Sequence, residues 1–188
     1  MLLKEKVIVW LVKGMLTWIP THEHFGESAT SVQERYNALA SDYYDVATSE
    51  PPLFKEDEDR LKTMTLLASM ERFESSFAKG PIHGDKHRGK VHSFCAMQIQ
   101  PGPTGIVLTE EEWHYADRSK GEQGFLGVDL DANHTQCLRV GLHMLRSSFR
   151  HTGDLGEYTG EGKGGSKANV RLQFATSWYK RHFKDLEP

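Results

Sequence analysis

The stretch Glu56-Asp-Glu-Asp-Arg-Leu-Lys-Thr-Met-Thr-Leu-Leu-Ala-Ser-Met-Glu-Arg-Phe-Glu-Ser-Ser-Phe77 decides how this chain folds. Its acidic opening, Glu56 to Asp59, suits the positive end of a helix dipole. Leu66, Met70, Phe73 and Phe77 then recur at the three- and four-residue spacing of a single helical face. A helix over 58–77 is predicted. The prolines of Ser49-Glu-Pro-Pro52 break the chain just before it, because proline removes an amide donor and restricts its predecessor. Glu74 falls near the helix end, one turn from Met70 and Phe77, so its carboxyl group is expected beside apolar side chains. Such a setting disfavours the charged form, as a general acid requires. Taken alone, a glutamate near a helix end is most often solvated, and Glu71, one turn earlier, is expected on the outer face.

Upstream, Ser31-Val-Gln-Glu34 has the capping-box form, and Val32, Tyr36, Leu39, Ala40 and Tyr43 continue at helical spacing, predicting a helix over 32–47. Residues 1–19 combine early lysines with an apolar stretch. Leu3, Val7, Trp10, Leu11, Gly14, Met15 and Trp18 share one helical face opposite Glu5, Lys6, Lys13 and Thr17, the pattern of an amphipathic helix lying on the domain. An export signal or a membrane-surface anchor is the alternative. A membrane span needs roughly 20 apolar residues, and Lys13 interrupts this run.

Downstream, 79–92 is rich in turn formers and charge and reads as an exposed loop or small hairpin. Thr109-Glu-Glu-Glu112 should open a short helix carrying Trp113, and 121–127 is loose. Leu138, Leu142, Leu145 and Phe149 form one helical stripe and Val170, Phe174 and Trp178 another, joined by a glycine-rich connector from Gly153 to Gly165. Five or six helices with little strand signal predict a mainly α fold. The main domain is expected over 56–188, with 1–55 as an N-terminal helical extension.

Hydrophobic residues make up 38% and charged residues 26% of the 188, as in a soluble globular protein with a real core. A formal charge of −3, with both signs interspersed, gives no field that argues for nucleic acid. Cys95 and Cys137 are either paired or buried thiols. His83, Asp85, His87 and His92 crowd one loop but match no zinc spacing, so no metal is expected there. Asp129-Leu-Asp131-Ala-Asn133 starts like a calcium loop, yet His134 holds the position of the required glycine and Val140 that of the bidentate glutamate. Gly160-Glu-Gly-Lys-Gly-Gly-Ser166 is out of frame for a phosphate loop. No cofactor is expected. Trp113, Trp178 and Tyr179 could stack on sugars, although aromatics at helical spacing more often serve a core.

Four segments, in order, carry a resemblance. Glu74-Ser-Ser-Phe77 resembles the Glu-Ser-x-Phe signature of the lytic transglycosylase and goose-type lysozyme superfamily. Ser93-Phe-Cys-Ala-Met-Gln98-Ile-Gln-Pro101 resembles its Gly-Leu-Met-Gln-Ile-x-Pro segment, with Cys95 and Ala96 in place of Gly-Leu. Asp131 to Leu145, with Gly141, Leu142 and Leu145, resembles its long helix. Leu155-Gly-Glu-Tyr-Thr-Gly-Glu-Gly162 resembles its Ala-Tyr-Asn-Ala-Gly-x-Gly segment, with Thr159 for Asn. The resemblance spans about residues 60 to 182.

It implies a lysozyme-like helical domain whose loop or hairpin region lines a cleft. It implies Glu74 as catalytic acid, Ser75 as its orienting neighbour, and Met97, Gln98, Tyr158 and Gly160 along the substrate, with the Tyr158 hydroxyl approaching Glu74. It implies a Cys95–Cys137 disulfide and therefore periplasmic or extracellular action, including delivery to the periplasm by a phage. The substrate would be peptidoglycan glycan strands, cleaved by a monomer at the β-1,4 bond between N-acetylmuramic acid and N-acetylglucosamine. Without a second carboxylate the sugar's own 6-hydroxyl can attack and leave a 1,6-anhydro end. A second carboxylate about 6.5 to 9.5 Å away could instead activate water for inverting hydrolysis. Asp85 is the candidate for that base, although a lone loop aspartate is more often solvated. The transglycosylase outcome is favoured, with a hydrolytic lysozyme or a catalytically silent glycan-binding module on the same fold as alternatives.

Overall fold

The computed structural model describes residues 3–54, 59–78, 94–99 and 130–182, together with the backbone of 86–87 and 90–91. These residues form a mainly α protein with five helices: α1 (Lys4–Trp18), α2 (Ala29–Ser49), α3 (Asp59–Ser75), α4 (His134–Thr152) and α5 (Ser166–His182). A 3-10 turn, Thr21–Glu23, links α1 to α2. Lys86–His87 pairs antiparallel with Lys90–Val91, so the expected loop carries a small hairpin. The expected helix at Thr109 to Trp113 lies outside the described residues, as do His83, Asp85, His92 and Asp129.

Helix α3 lies at the centre, packed most extensively on α5 and also on α2 and α4. The fully buried Met64, Leu66, Leu67 and Met70 face these neighbours. Segment 1–55, expected as an extension, supplies α1 and α2 to the same continuous core. Val7, Trp10, Leu11 and Met15 of α1 are buried, and Trp10 stacks on Trp178 of α5 at 5.5 Å. Gly14 lets the helices meet: a Cβ there would fall 2.3 Å from the Trp178 indole. The face read as amphipathic is therefore the packing face, except for its first residue, Leu3, which is exposed. Among the described residues no helix is long and apolar enough to cross a membrane.

Three local expectations are corrected. The cap of α2 is Ser28 rather than Ser31, since the Ser28 hydroxyl accepts the Ser31 amide at 3.1 Å and the helix starts at Ala29. Helix α3 stops at Ser75, two residues early, because Ser76 and Phe77 take left-handed backbone angles, φ 55° and 54°. That conformation costs about 1–2 kcal/mol for a non-glycine residue. Burial of Phe77 and a 3.0 Å bond from Arg35 Nε to its carbonyl offset the cost. Val170 is 49% exposed; the packing face of α5 runs instead through Ala168, Ala175 and Trp178, with Phe174 against Phe73 and Trp18.

Helix α4 follows its stripe closely. The Asn133 side chain caps it by accepting the Gln136 amide at 3.0 Å, and Gly153 ends it at φ 81°.

Candidate functional site

The C-terminal turn of α3 is where sequence-distant segments meet. The Glu74 side chain is 21% exposed, and its Oε1 accepts two bonds from Arg171 of α5, from Nη2 at 2.6 Å and Nε at 3.1 Å. The Arg171 guanidinium lies over the Phe73 ring at 5.2 Å and donates from Nη1 to the Lys167 carbonyl. The expected apolar setting of Glu74 is thus corrected: its carboxylate is paired with the Arg171 guanidinium. Both of its bonds to Arg171 are charge-assisted, with the carboxylate oxygen as acceptor.

Tyr158 reaches the same region from the glycine-rich connector. Its hydroxyl donates to the Met97 carbonyl at 2.6 Å. Burial, and secondarily the Glu74 charge, hold that phenol well above its ordinary range, with the Arg171 charge opposing them. The hydroxyl therefore remains protonated, a donor, at any ordinary pH. Its position is set by Ser148 of α4, whose Oγ accepts the amides of Glu157 at 3.1 Å and Tyr158 at 3.2 Å and donates to the Asp154 carbonyl.

Asp154 in turn closes the connector. Its carboxylate accepts the Gly164 amide at 2.7 Å, the Gly156 amide at 2.8 Å and the Thr152 hydroxyl at 2.9 Å. The first two bonds lead in holding this carboxyl below its usual range. Gly156 is required because a Cβ would fall 2.0 Å from the Gly162 carbonyl oxygen.

Segment 94–99 forms a tight turn closed by the Phe94–Ile99 bridge, with amide–carbonyl bonds of 3.0 and 2.9 Å. Met97 is buried against α4, where a Cβ on Gly141 would come 2.7 Å from its Cε. The glycine of the long-helix segment thus makes room for the methionine of the Gln segment. Cys95 is bonded to Cys137 in a disulfide, Cα–Cα 6.1 Å, and its amide donates to Asp131 Oδ1 at 2.7 Å. The disulfide ties the turn to α4, and the Asp131 bond ties it to the segment just before that helix.

The other expected site residues are held by local bonds and backbone geometry. The Ser75 hydroxyl donates to the Glu71 carbonyl at 3.0 Å, bonding back onto its own helix. Gln98 has φ 50°, and its Nε2 donates to the Cys95 carbonyl at 2.9 Å within the turn. Gly160 is exposed in the left-handed region, φ 69°, where it shapes the connector. Trp178 belongs to the core rather than to an open face. Among the described residues no cluster of His, Cys, Asp or Glu could hold a metal ion.

The sequence reading missed the most enclosed charges. Glu71 is only 1% exposed, not solvated as expected. Its Oε2 accepts the Tyr43 hydroxyl at 2.5 Å and pairs with His134 Nε2 at 3.0 Å, while His134 Nδ1 pairs with Asp42 at 2.7 Å. Burial opposes charge on His134, but the Glu71 and Asp42 carboxylates outweigh it and raise its pKa to about 10. The imidazolium so formed donates from both nitrogens. Tyr43 is pushed well above its ordinary range, by burial first and by Glu71 second. Arg171 and His134 carried no local signal beyond their places in helical stretches, because only tertiary packing shows which carboxylate a cation will meet.

The structure thus defines a mainly α protein with a carboxylate–guanidinium pair beside a cross-linked turn and a tyrosine connector. Compared with protein-family models, with curated proteins and with solved structures, the chain matches none.

Proposed function

We propose that this protein cleaves the glycan strands of peptidoglycan as a lysozyme-like lytic enzyme, with Glu74 as the acid. What carries the reading is the convergence of the resembling segments at one helix end. The Tyr158 phenol binds the Met97 carbonyl within the field of Glu74, and Met97 packs on Gly141. A fold held together for other reasons has no need to gather those segments around a partly exposed carboxylate.

Arriving substrate displaces Arg171, and protonated Glu74 passes its proton to the glycosidic oxygen as the C1–O bond breaks and an oxocarbenium-like transition state forms. The resulting carboxylate then accepts the proton of the sugar's 6-hydroxyl, whose oxygen bonds to C1 and leaves a 1,6-anhydro end. Glu71 is not a candidate for the water-activating base, because its carboxylate is buried and bonded to Tyr43 and His134; the candidate for that role, Asp85, lies outside the described residues. The disulfide suits an oxidising compartment, periplasmic or extracellular.

Purified protein incubated with peptidoglycan is expected to release muropeptides with anhydro ends, read by mass spectrometry. Reducing ends instead assign a hydrolytic lysozyme, and no release from several wall types assigns a silent glycan-binding module. E74Q should keep the fold and lose activity by about 10²- to 10⁴-fold.

A further inference from the structure

Helices α3 and α5 run antiparallel: Glu74 pairs with Arg171 at one end, and Lys62 Nζ lies 5.6 Å from the centre of the Tyr179 ring at the other. Near that second end the two helices border a cavity of about 350 Å³, with Phe54 also in its wall. Leu66, Leu172, Ala175 and Tyr179 make its open surface mostly apolar. Thr65 adds no polar demand, because its hydroxyl donates to the Lys62 carbonyl at 2.9 Å. Small-molecule sites have this character: concave, largely apolar, with a few charged or polar groups that fix the orientation of the ligand.

The charged residues in the wall are Lys62 and Lys180, and among the described residues no carboxylate lines it. Both lysines belong to the same end. Lys180 follows Tyr179, over which Lys62 lies, whereas Leu172 sits about 12 Å away along α5. Leu66 is one turn of α3 from Lys62 in the same direction. The cavity is thus cationic at one end and hydrocarbon at the other. We infer that it binds a medium-chain fatty acid, with the carboxylate at Lys62 and Lys180 and the chain along Leu66 and Leu172.

An aliphatic monoanion matches both halves of this wall. The two ammonium groups select negative charge, and burial of the chain supplies most of the affinity, about fourfold for each methylene taken out of water. Lysine presents a point charge on a flexible stem rather than a planar fork, so the chain in the apolar part sets the register and the carboxylate follows it. The volume suits one chain and excludes a partner helix, whose diameter with side chains is about 10–12 Å. About two turns of α3 separate Leu66 from Glu74, so the inference stands independently of the lytic reading.

The test titrates the whole protein with decanoate below its micelle concentration, beside octanoate, decanamide and decylammonium, following the Leu172 methyl resonances by NMR. Decanoate is expected to shift them and to bind about tenfold or more tightly than octanoate, which buries two methylenes fewer. Decanamide should bind about two- to fivefold more weakly than the acid, and decylammonium more weakly still. K180E, at an exposed position, should narrow the preference for the acid over the ammonium. T176W places a large ring at an exposed position in the cavity wall and should abolish binding of all four while the circular dichroism stays that of the wild type. No shift at Leu172, equal binding of decanoate and octanoate, decylammonium bound as tightly as decanoate, or binding unchanged in T176W overturns the inference. Because binding is read directly, failure here is distinct from a failure to release muropeptides.

Discussion

Glu71 and Glu74 lie one turn apart on α3 and have opposite fates. Glu71 is enclosed and receives two fixed donors, one of them an imidazolium backed by Asp42. Glu74 keeps 21% of its side chain exposed and is paired with the Arg171 guanidinium. With partners from α2 and from the start of α4, the Glu71 carboxylate ties those helices to α3. The carboxylate at the edge, partly exposed and paired with one guanidinium, is the one on which the proposed acid role rests. The comparison teaches that two glutamates one helical turn apart can differ wholly in burial and in the kind of partner they meet.

The largest expected effect that separates the two is on stability. E71A should destabilise the fold by about 3–5 kcal/mol, because it leaves the His134 charge and the Tyr43 hydroxyl without their shared acceptor. E74A should cost about 1 kcal/mol or less, as expected for a partly exposed pair. Urea unfolding of both variants measures the contrast, and equal losses would remove the basis for treating Glu71 as structural.

Next in size is the pH dependence. The folded pKa of His134, about 10, stands above its ordinary 6.5, so its contribution is complete below pH 6.5 and declines between 6.5 and 10. Urea midpoints should fall over that window, and H134N should flatten the fall. At the acid end the connector behaves in the reverse sense: Asp154, held below its ordinary range, contributes above pH 3.8, and the contribution is lost on further acidification.

Y43F should cost about 1.5–3 kcal/mol, the range for a hydrogen bond to a charged group, with activity retained. R171Q should cost about 1 kcal/mol or less, like E74A, since it removes the other member of the same pair, but this variant sharpens the comparison most. If Arg171 is the displaceable partner of Glu74, its loss alters the pH profile of muropeptide release; an unaltered profile would make the pair purely structural.

Helix positions were legible where periodicity was strong. The α4 stripe from Leu138 to Phe149, and the buried face of α1 through Val7, Leu11 and Met15, followed from spacing. Boundaries were less legible. Ser28 and Ser31 are both competent caps, and the winner depends on the path of the chain out of the 3-10 turn. The early stop of α3 depends on Phe77 finding a core pocket and Arg35 reaching its carbonyl. For the site, the identities of Glu74, Met97 and Tyr158 came from local segments, whereas their partners did not.

The sequence by itself determined the helical class and the polarity of most helix faces, because these depend on neighbours three or four positions away. Only the tertiary structure decided which of two glutamates on α3 is enclosed and which meets a lone guanidinium. It also decided that Cys95 meets Cys137. Those outcomes depend on groups tens of residues apart reaching hydrogen-bond distance, and Coulomb and hydrogen-bond energies turn on ångströms that no local spacing encodes.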